Sequence, residues 1–144
     1  EKDNKILIIF GRNSKKLDKI GKINKIHFNE LSPNSVDLKI LYSASDIFLA
    51  PSIQESFGQT VLEAAGCCLP SVCFSNNGIS EIIDHKKNGY IAKENDINDF
   101  NIGIEWCLKN LNQKTMMLHL NSLKEKFSEE VVGKLYKNIY SKII

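Results

Sequence analysis

The chain has 144 residues, 42% hydrophobic and 25% charged, enough for one compact globular domain with a real core and too apolar for a disordered or fibrous chain. Its net charge is +2, with 19 basic and 17 acidic residues interspersed along the whole length, which leaves no electrostatic footprint for DNA or RNA and argues against a nucleic-acid partner. No apolar run approaches the roughly 20 residues of a membrane span, and no signal peptide is visible.

In chain order, residues 5–10 (KILIIF) form a continuous apolar run closed by Gly11 and predict a central strand. Because that strand follows Glu1 almost at once, we expect a piece of something longer. Arg12, the only arginine, sits in the next turn. Its planar fork suits a phosphate or carboxylate, with a solvated loop arginine as the plainer reading. Residues 15–22 allow a short exposed helical turn. Residues 23–28 alternate as a second strand with Ile26 and Phe28 on one side. Asn29, Glu30 and Leu31 open the following loop, where Asn29 tolerates positive φ. Ser35 caps a helix predicted over 36–44.

Residues 46–65, DIFLAPSIQESFGQTVLEAA, are the most informative stretch. Five largely apolar residues, 46–50, predict a strand inside a sheet covered on both faces. Pro51 closes a turn, a short loop holds Glu55, Phe57 and Gly58, and a helix carrying Glu63 starts at about Gln59, with Gly66 as its stop. Residues 70–74 (PSVCF) predict another buried strand, Asn76, Asn77 and Gly78 a loop able to adopt positive φ, 80–84 a short helix, 86–89 (KKNG) a turn, and 90–92 a last strand. Beyond Ile97 the period becomes helical. Ile97, Phe100, Ile104, Cys107, Leu108 and Leu111 form one stripe, Met117, Leu120 and Leu123 a second, and Phe127, Val131, Leu135, Ile139 and Ile143 a third. Each stripe predicts a core-facing surface rather than a cofactor box. If the helices after Gln113 instead reach to another domain, Phe127, Leu135 and Ile139 would form an exposed apolar patch that promotes self-association. Strands alternating with helices over residues 5–111 predict a parallel sheet with helices on both faces.

The four cysteines, Cys67, Cys68, Cys73 and Cys107, have no Cys-x-x-Cys spacing and read as buried reduced thiols of a cytosolic protein. Three histidines without ligand spacing predict no metal centre. Gly-x-Gly-x-x-Gly, Gly-Lys-Ser/Thr, Gly-x-Ser-x-Gly and His-Glu-x-x-His are all absent. What remains is the pair Glu55 and Glu63 around Phe57, Gly58, Gln59 and Thr60. The carboxyl end of a buried strand meets the amino end of a helix there, where free N–H groups and the helix dipole favour an anion. An anion on the N–H groups of residues 58–61 would lie between two carboxylates, and carboxylates beside a pyrophosphate need hydroxyl-rich targets. A nucleotide sugar meets that condition, with ribose at one acid and hexose at the other. Ordinary helix capping accounts for the same residues equally well.

Two stretches, LYSASDIFLAPSIQESFGQTVLEAAGCCLPSV and SNNGISEIIDHKKNGYIA, resemble the donor-binding, C-terminal half of retaining glycosyltransferases of the two-domain GT-B type, the group-1 family that includes bacterial capsule and lipopolysaccharide enzymes. The motif is two glutamates with seven residues between them and Phe-Gly after the first. The resemblance implies a Rossmann-like α/β fold with a parallel sheet, helices on both faces and a helical C-terminal end. It implies one nucleotide-sugar-binding domain over 1–144, with an α/β core at 1–111, C-terminal helices at 112–144 and the N-terminal acceptor domain absent. Glu55 would approach the donor sugar as the catalytic residue, and Glu63 would hold the ribose hydroxyls. The backbone of Phe57, Gly58, Gln59, Thr60 and Val61 would cradle the pyrophosphate, with the Thr60 hydroxyl added. Asn29 and Glu30 would border the base. The donor would be UDP- or GDP-linked, with no further cofactor and no metal. Transfer would go with retention to a saccharide or lipid-linked acceptor, in the cytoplasm or peripherally at the inner membrane face. Family members often carry Gly where this chain has Asn29 and Asn77, and their phosphate-clamping Arg and Lys are not matched by Arg12 and Lys16. Two other readings compete: a non-catalytic α/β interaction domain, and a sugar-nucleotide epimerase, which converts a donor without an acceptor.

Overall fold

A computed structural model describes residues 5–11, 21, 23–75 and 78–143. Arg12, Lys16, the helical turn expected over 15–22, and Asn76 and Asn77 lie outside the described residues. The chain forms two compact units, Glu1–Leu41 and Tyr42–Ile144.

In the first unit, β1 (Ile6–Phe10) and β2 (Asn24–Phe28) pair in parallel, with Ile6 opposite Asn24 and Phe10 opposite Phe28. The run KILIIF predicts a central strand, yet among the described residues β1 has β2 as its one partner and no side chain of β1 is fully buried. Apolar continuity identifies a strand but cannot supply the layers that would cover it. Ile26 and Phe28 share a face, and that face is exposed; His27 between them is better covered. Asn29 does not take positive φ, whereas Asn34 does, at 61°. Ser35 caps α1 (Val36–Ala44) as expected, its Oγ accepting from the Leu38 amide at 3.3 Å.

The second unit is built on a three-stranded parallel sheet in the order β3 (Phe48–Ala50), β4 (Ser71–Phe74), β5 (Gly89–Ala92). Leu49 lies opposite Val72, and Val72 opposite Tyr90. Side chains alternate across the sheet with the strand period of two. Phe48, Ala50, Cys73 and Ile91 enter one cluster with Val61 and Ala65 of α2 (Gln59–Gly66), Ile79 of the 3-10 turn Gly78–Glu81, and Leu123 of α4 (Gln113–Phe127). Leu49, Val72, Phe74, Tyr90 and Ala92 enter the other with Phe100 and Cys107 of α3 (Ile97–Asn110). Both faces are covered, which is why the strands read as unbroken apolar runs. Sheet and α3 approach closely at Gly103, where a Cβ would stand 2.5 Å from the Tyr90 ring. Among the described residues no helix is long and apolar enough to cross a membrane.

Several local expectations shift. The strand predicted over 46–50 is hydrogen-bonded only at its last three residues. α2 ends at Gly66 as expected, but Gly66 is not the left-handed residue that closes it. The left-handed residue is Cys68, at φ 58°, and the Leu69 amide bonds to the Ala64 carbonyl and the Cys68 amide to the Ala65 carbonyl, a Schellman ending built without glycine. The helix expected over 80–84 is instead the 3-10 turn that begins at Gly78. Ile97 and Leu108 leave the α3 stripe for solvent, and in α4 the buried residue is Met116 rather than Met117, giving a stripe of Met116, Leu120, Leu123 and Phe127. All four cysteines are free; Cys73 and Cys107 are buried, and burial pushes both thiols up to about 12. After α4, Ser128 ends one helix and caps the next, α5 (Glu129–Tyr140), its Oγ accepting from the Val131 amide. No residue of α5 is buried, and Leu135 and Ile139 are more than half exposed. α4 therefore packs on this sheet, and of the third stripe Phe127 joins the core while Leu135, Ile139 and Ile143 lie open.

Asp99 ties the start of α3 to β5. It accepts from the Lys93 amide at 2.8 Å and from the Tyr90 hydroxyl at 2.9 Å, and the Lys93 amide first, then Tyr90, hold its carboxyl below the ordinary range. A depressed carboxyl contributes stability that is complete above its unfolded pKa and lost as pH falls through the folded value. Asp99→Asn should therefore lower Tm by a few degrees at neutral pH and flatten the acid limb of a Tm-against-pH curve. An acid limb as steep as wild type's would contradict this role.

Candidate functional site

The loop between β3 and α2 carries Glu55, Ser56, Phe57 and Gly58, and two glycines set its course. Gly58 has φ 90°, and a Cβ there would lie 2.6 Å from Cγ1 of Ile79. Gly78 donates its amide to the Glu55 carbonyl at 2.8 Å, and a Cβ on Gly78 would lie 2.0 Å from the Ser56 carbonyl oxygen. The loop thus rests backbone to backbone on the 3-10 turn, with no space for a side chain at either position.

Gly58 caps α2 without a side-chain hydrogen bond. Its carbonyl takes the amides of Val61, at 2.9 Å, and Leu62, at 3.2 Å. Among the described residues the amides of Gln59 and Thr60 have no acceptor, and both residues are exposed. Of the N–H groups expected to face an anion over residues 58–61, those of Gln59 and Thr60 are therefore the open ones, because the Val61 amide turns to Gly58 and the Val61 side chain is buried in the core. Two unsatisfied donors at the positive end of a helix are a seat for negative charge.

The two glutamates occupy different surroundings. Glu55 is exposed, and its Oε1 accepts from the Ser56 amide at 3.1 Å. Glu63 is half-buried one turn inside α2, about 6 Å along the axis from Gln59, and its Oε2 accepts from the Tyr42 hydroxyl at 3.1 Å. Tyr42 is itself buried and stands edge-on to Phe48 at 5.7 Å. Burial first, then the Glu63 carboxylate, raise the Tyr42 hydroxyl above its ordinary range, so it stays a donor. One oxygen of Glu63 is thereby fixed, and the carboxylate keeps acceptor capacity for hydroxyl groups.

Glu55, Phe57, Gly58, Gln59, Thr60, Val61 and Glu63 thus lie on the loop before α2 and on its first five residues. Asn29 and Glu30 are exposed on the loop that follows β2 in the first unit. The residues that sequence reasoning missed are Tyr42, Ile79 and Phe127, whose ring meets that of Phe57 at 5.5 Å. Each contact joins distant segments, and no spacing rule marks them; only the glycine at 78 offered a signal. Among the described residues no group of three or more His, Cys, Asp or Glu side chains could hold a metal ion.

A family profile described as glycosyl transferases group 1 matches residues 1–124. The uncharacterized glycosyltransferase MJ1607 of Methanocaldococcus jannaschii is 31% identical over 110 residues, 74% of this chain and 28% of that protein. The O-antigen chain mannosyltransferase B of Escherichia coli is 38% identical over 61 residues, 42% of this chain and 16% of that one. The chain therefore spans less than a third of the length of these relatives. Among solved structures, Anabaena Alr3699/HepE in complex with UDP-glucose superposes with a TM-score of 0.67 at 19% identity, over 94% of this chain and 40% of that one. At that identity the likeness is one of fold.

The packing at the two glycines yields a direct test. Gly58→Ala and Gly78→Ala should each cost about 2–4 kcal/mol in urea unfolding, from positive-φ strain and Ile79 overlap in the first and a backbone clash in the second. A loss below about 0.5 kcal/mol, the range of neutral surface changes, would show that the loop is free of the turn.

Proposed function

Because this chain belongs to the glycosyl transferases of group 1, we propose that the amino end of α2 is the donor site of a sugar-transferring enzyme and binds a nucleotide sugar, UDP- or GDP-linked. The observation that carries this reading is the pair of acceptor-free amides at Gln59 and Thr60, turned out by a buried left-handed Gly58 and flanked by Glu55 and Glu63. The diphosphate takes these amides and the Thr60 hydroxyl. Glu63, held at one oxygen by Tyr42, accepts from the ribose hydroxyls. Glu55, exposed at the rim, addresses the transferred sugar. HepE, whose fold this chain shares, was crystallised with UDP-glucose, and that complex supports a uridine donor in this reading.

In the same reading the whole enzyme transfers the sugar with retention and without a metal, to a saccharide or lipid-linked acceptor brought by other parts of a longer polypeptide. An oxygen of the leaving diphosphate takes the acceptor's proton while the anomeric carbon exchanges its bond to that diphosphate for one to the acceptor oxygen. Glu55 on the sugar and the helix end on the leaving group would do the protein's share, positioning and charge stabilisation.

Calorimetric titration of the chain with UDP, GDP and ADP tests the donor site. One nucleotide should bind, and Glu63→Ala should weaken it about tenfold, the worth of a hydrogen bond to a charged group. Glu63→Gln keeps an acceptor for Tyr42 and separates loss of the ribose contact from loss of a buried partner. Affinity unchanged in both variants, or no binding to the folded chain, would contradict the proposal.

A further inference from the structure

The last turn of α4 reaches the loop before α2 by two routes. Directly, the Phe127 ring stands edge-on to Phe57, centroids 5.5 Å apart and planes at 70°. Indirectly, Lys126 donates from Nζ to the Glu81 carbonyl at 2.7 Å, at the end of the very turn on which the loop rests, and its ammonium lies over the Phe127 ring at 5.0 Å. Phe127 also packs on the cluster of Ile79, Ile82 and Leu123. Burying α4 does not require the contact with Phe57, since Met116 and Leu123 already anchor the helix. Phe57, in turn, is 37% exposed, and among the described residues Phe127 is its one ring contact. An aromatic pair of this geometry contributes beyond its buried area.

We propose that Phe127 is a positioning residue of the donor site: it seats Phe57, and through it the Gly58 backbone, so that the Gln59 and Thr60 amides stay in place for the diphosphate. This rests on the reading of the α2 amino end as the donor site. Phe127 is also followed at once by Ser128 and the uncovered helix α5. The last packed residue of α4 is therefore the one that grips the loop.

The seating of the loop has its own reporter. The Gly78 amide is protected by its bond to the Glu55 carbonyl, whereas the Val72 amide in β4 reports the sheet. Phe127→Ala should speed hydrogen exchange at Gly78 about tenfold relative to Val72 and weaken the nucleotide that binds wild type (UDP, GDP or ADP) about fivefold. Phe127→Tyr, which keeps the ring, should restore both. Leu123→Ala trims the same cluster without removing the ring pair and should move the two amides together. Exchange at Gly78 and Val72 rising in step in Phe127→Ala, or a selective Gly78 effect from Leu123→Ala, would make Phe127 an ordinary core residue and overturn the proposal. Wild-type binding that Glu63→Gln weakens but Phe127→Ala leaves intact would overturn this inference alone. Silence toward all three nucleotides would overturn the donor reading and this assignment with it.

Discussion

Two peptide backbones meet where Gly78 donates to the Glu55 carbonyl, and neither Gly78 nor Gly58 has room for a Cβ. The rest of the site depends on that contact. A loop of exposed residues would ordinarily sample many conformations, but this one is pinned by its own main chain to a turn whose Ile79 is buried in the core. The left-handed Gly58 then launches α2 with Gln59 and Thr60 exposed and Val61 buried. Pre-organisation of this kind matters for an anion site, because ordering the amides on binding would consume much of the interaction energy they supply.

The sheet explains why the turn and the loop can be brought together at all. β3 and β4 are parallel neighbours, so the loop of residues 51–58 and the turn of residues 78–81, which follow their carboxyl ends, emerge on the same side. In parallel sheets this is where ligands collect, and the chemistry follows from the chain direction rather than from any one residue. α2, the 3-10 turn and α4 cover one face and α3 the other. The loop therefore stands on a core whose two clusters are closed. Tyr42, which reaches Glu63 from α1, adds a polar fixture on an otherwise apolar floor. The chain belongs to the group 1 glycosyl transferases, and rigidity of this kind is what a site needs to hold a ligand in one pose.

Much of this was legible in the residues. Apolar runs bounded by Gly and Pro predict β3, β4 and β5, and Gln59 opens α2 where the motif places it. Legibility ended where the determining contact is distant in sequence. The phase of the α4 stripe is set by the face that joins the core cluster through Leu123, and Met116 is buried whereas Met117 is not. The left-handed residue that closes α2 is Cys68, because a closed hydrogen-bond pattern at Leu69 outweighs the preference for glycine. KILIIF reads as a central strand, yet among the described residues β1 has one neighbour, since a sequence does not state how many strands flank a given one. At the site, Glu55, Gly58 and Glu63 could be chosen from their spacing, whereas Tyr42 and Phe127 could not, each being an ordinary apolar position of a helix until the fold brings it to the loop.

The most direct test of the central claim is amide chemical-shift mapping on the isotopically labelled chain, with UDP and with uridine added in separate titrations. A diphosphate seated on the helix end should shift the Gly58, Gln59 and Thr60 amides most strongly with UDP and far less with uridine. Shifts of equal size with both ligands, or shifts centred on another surface while the α2 amino end stays silent, would contradict the account.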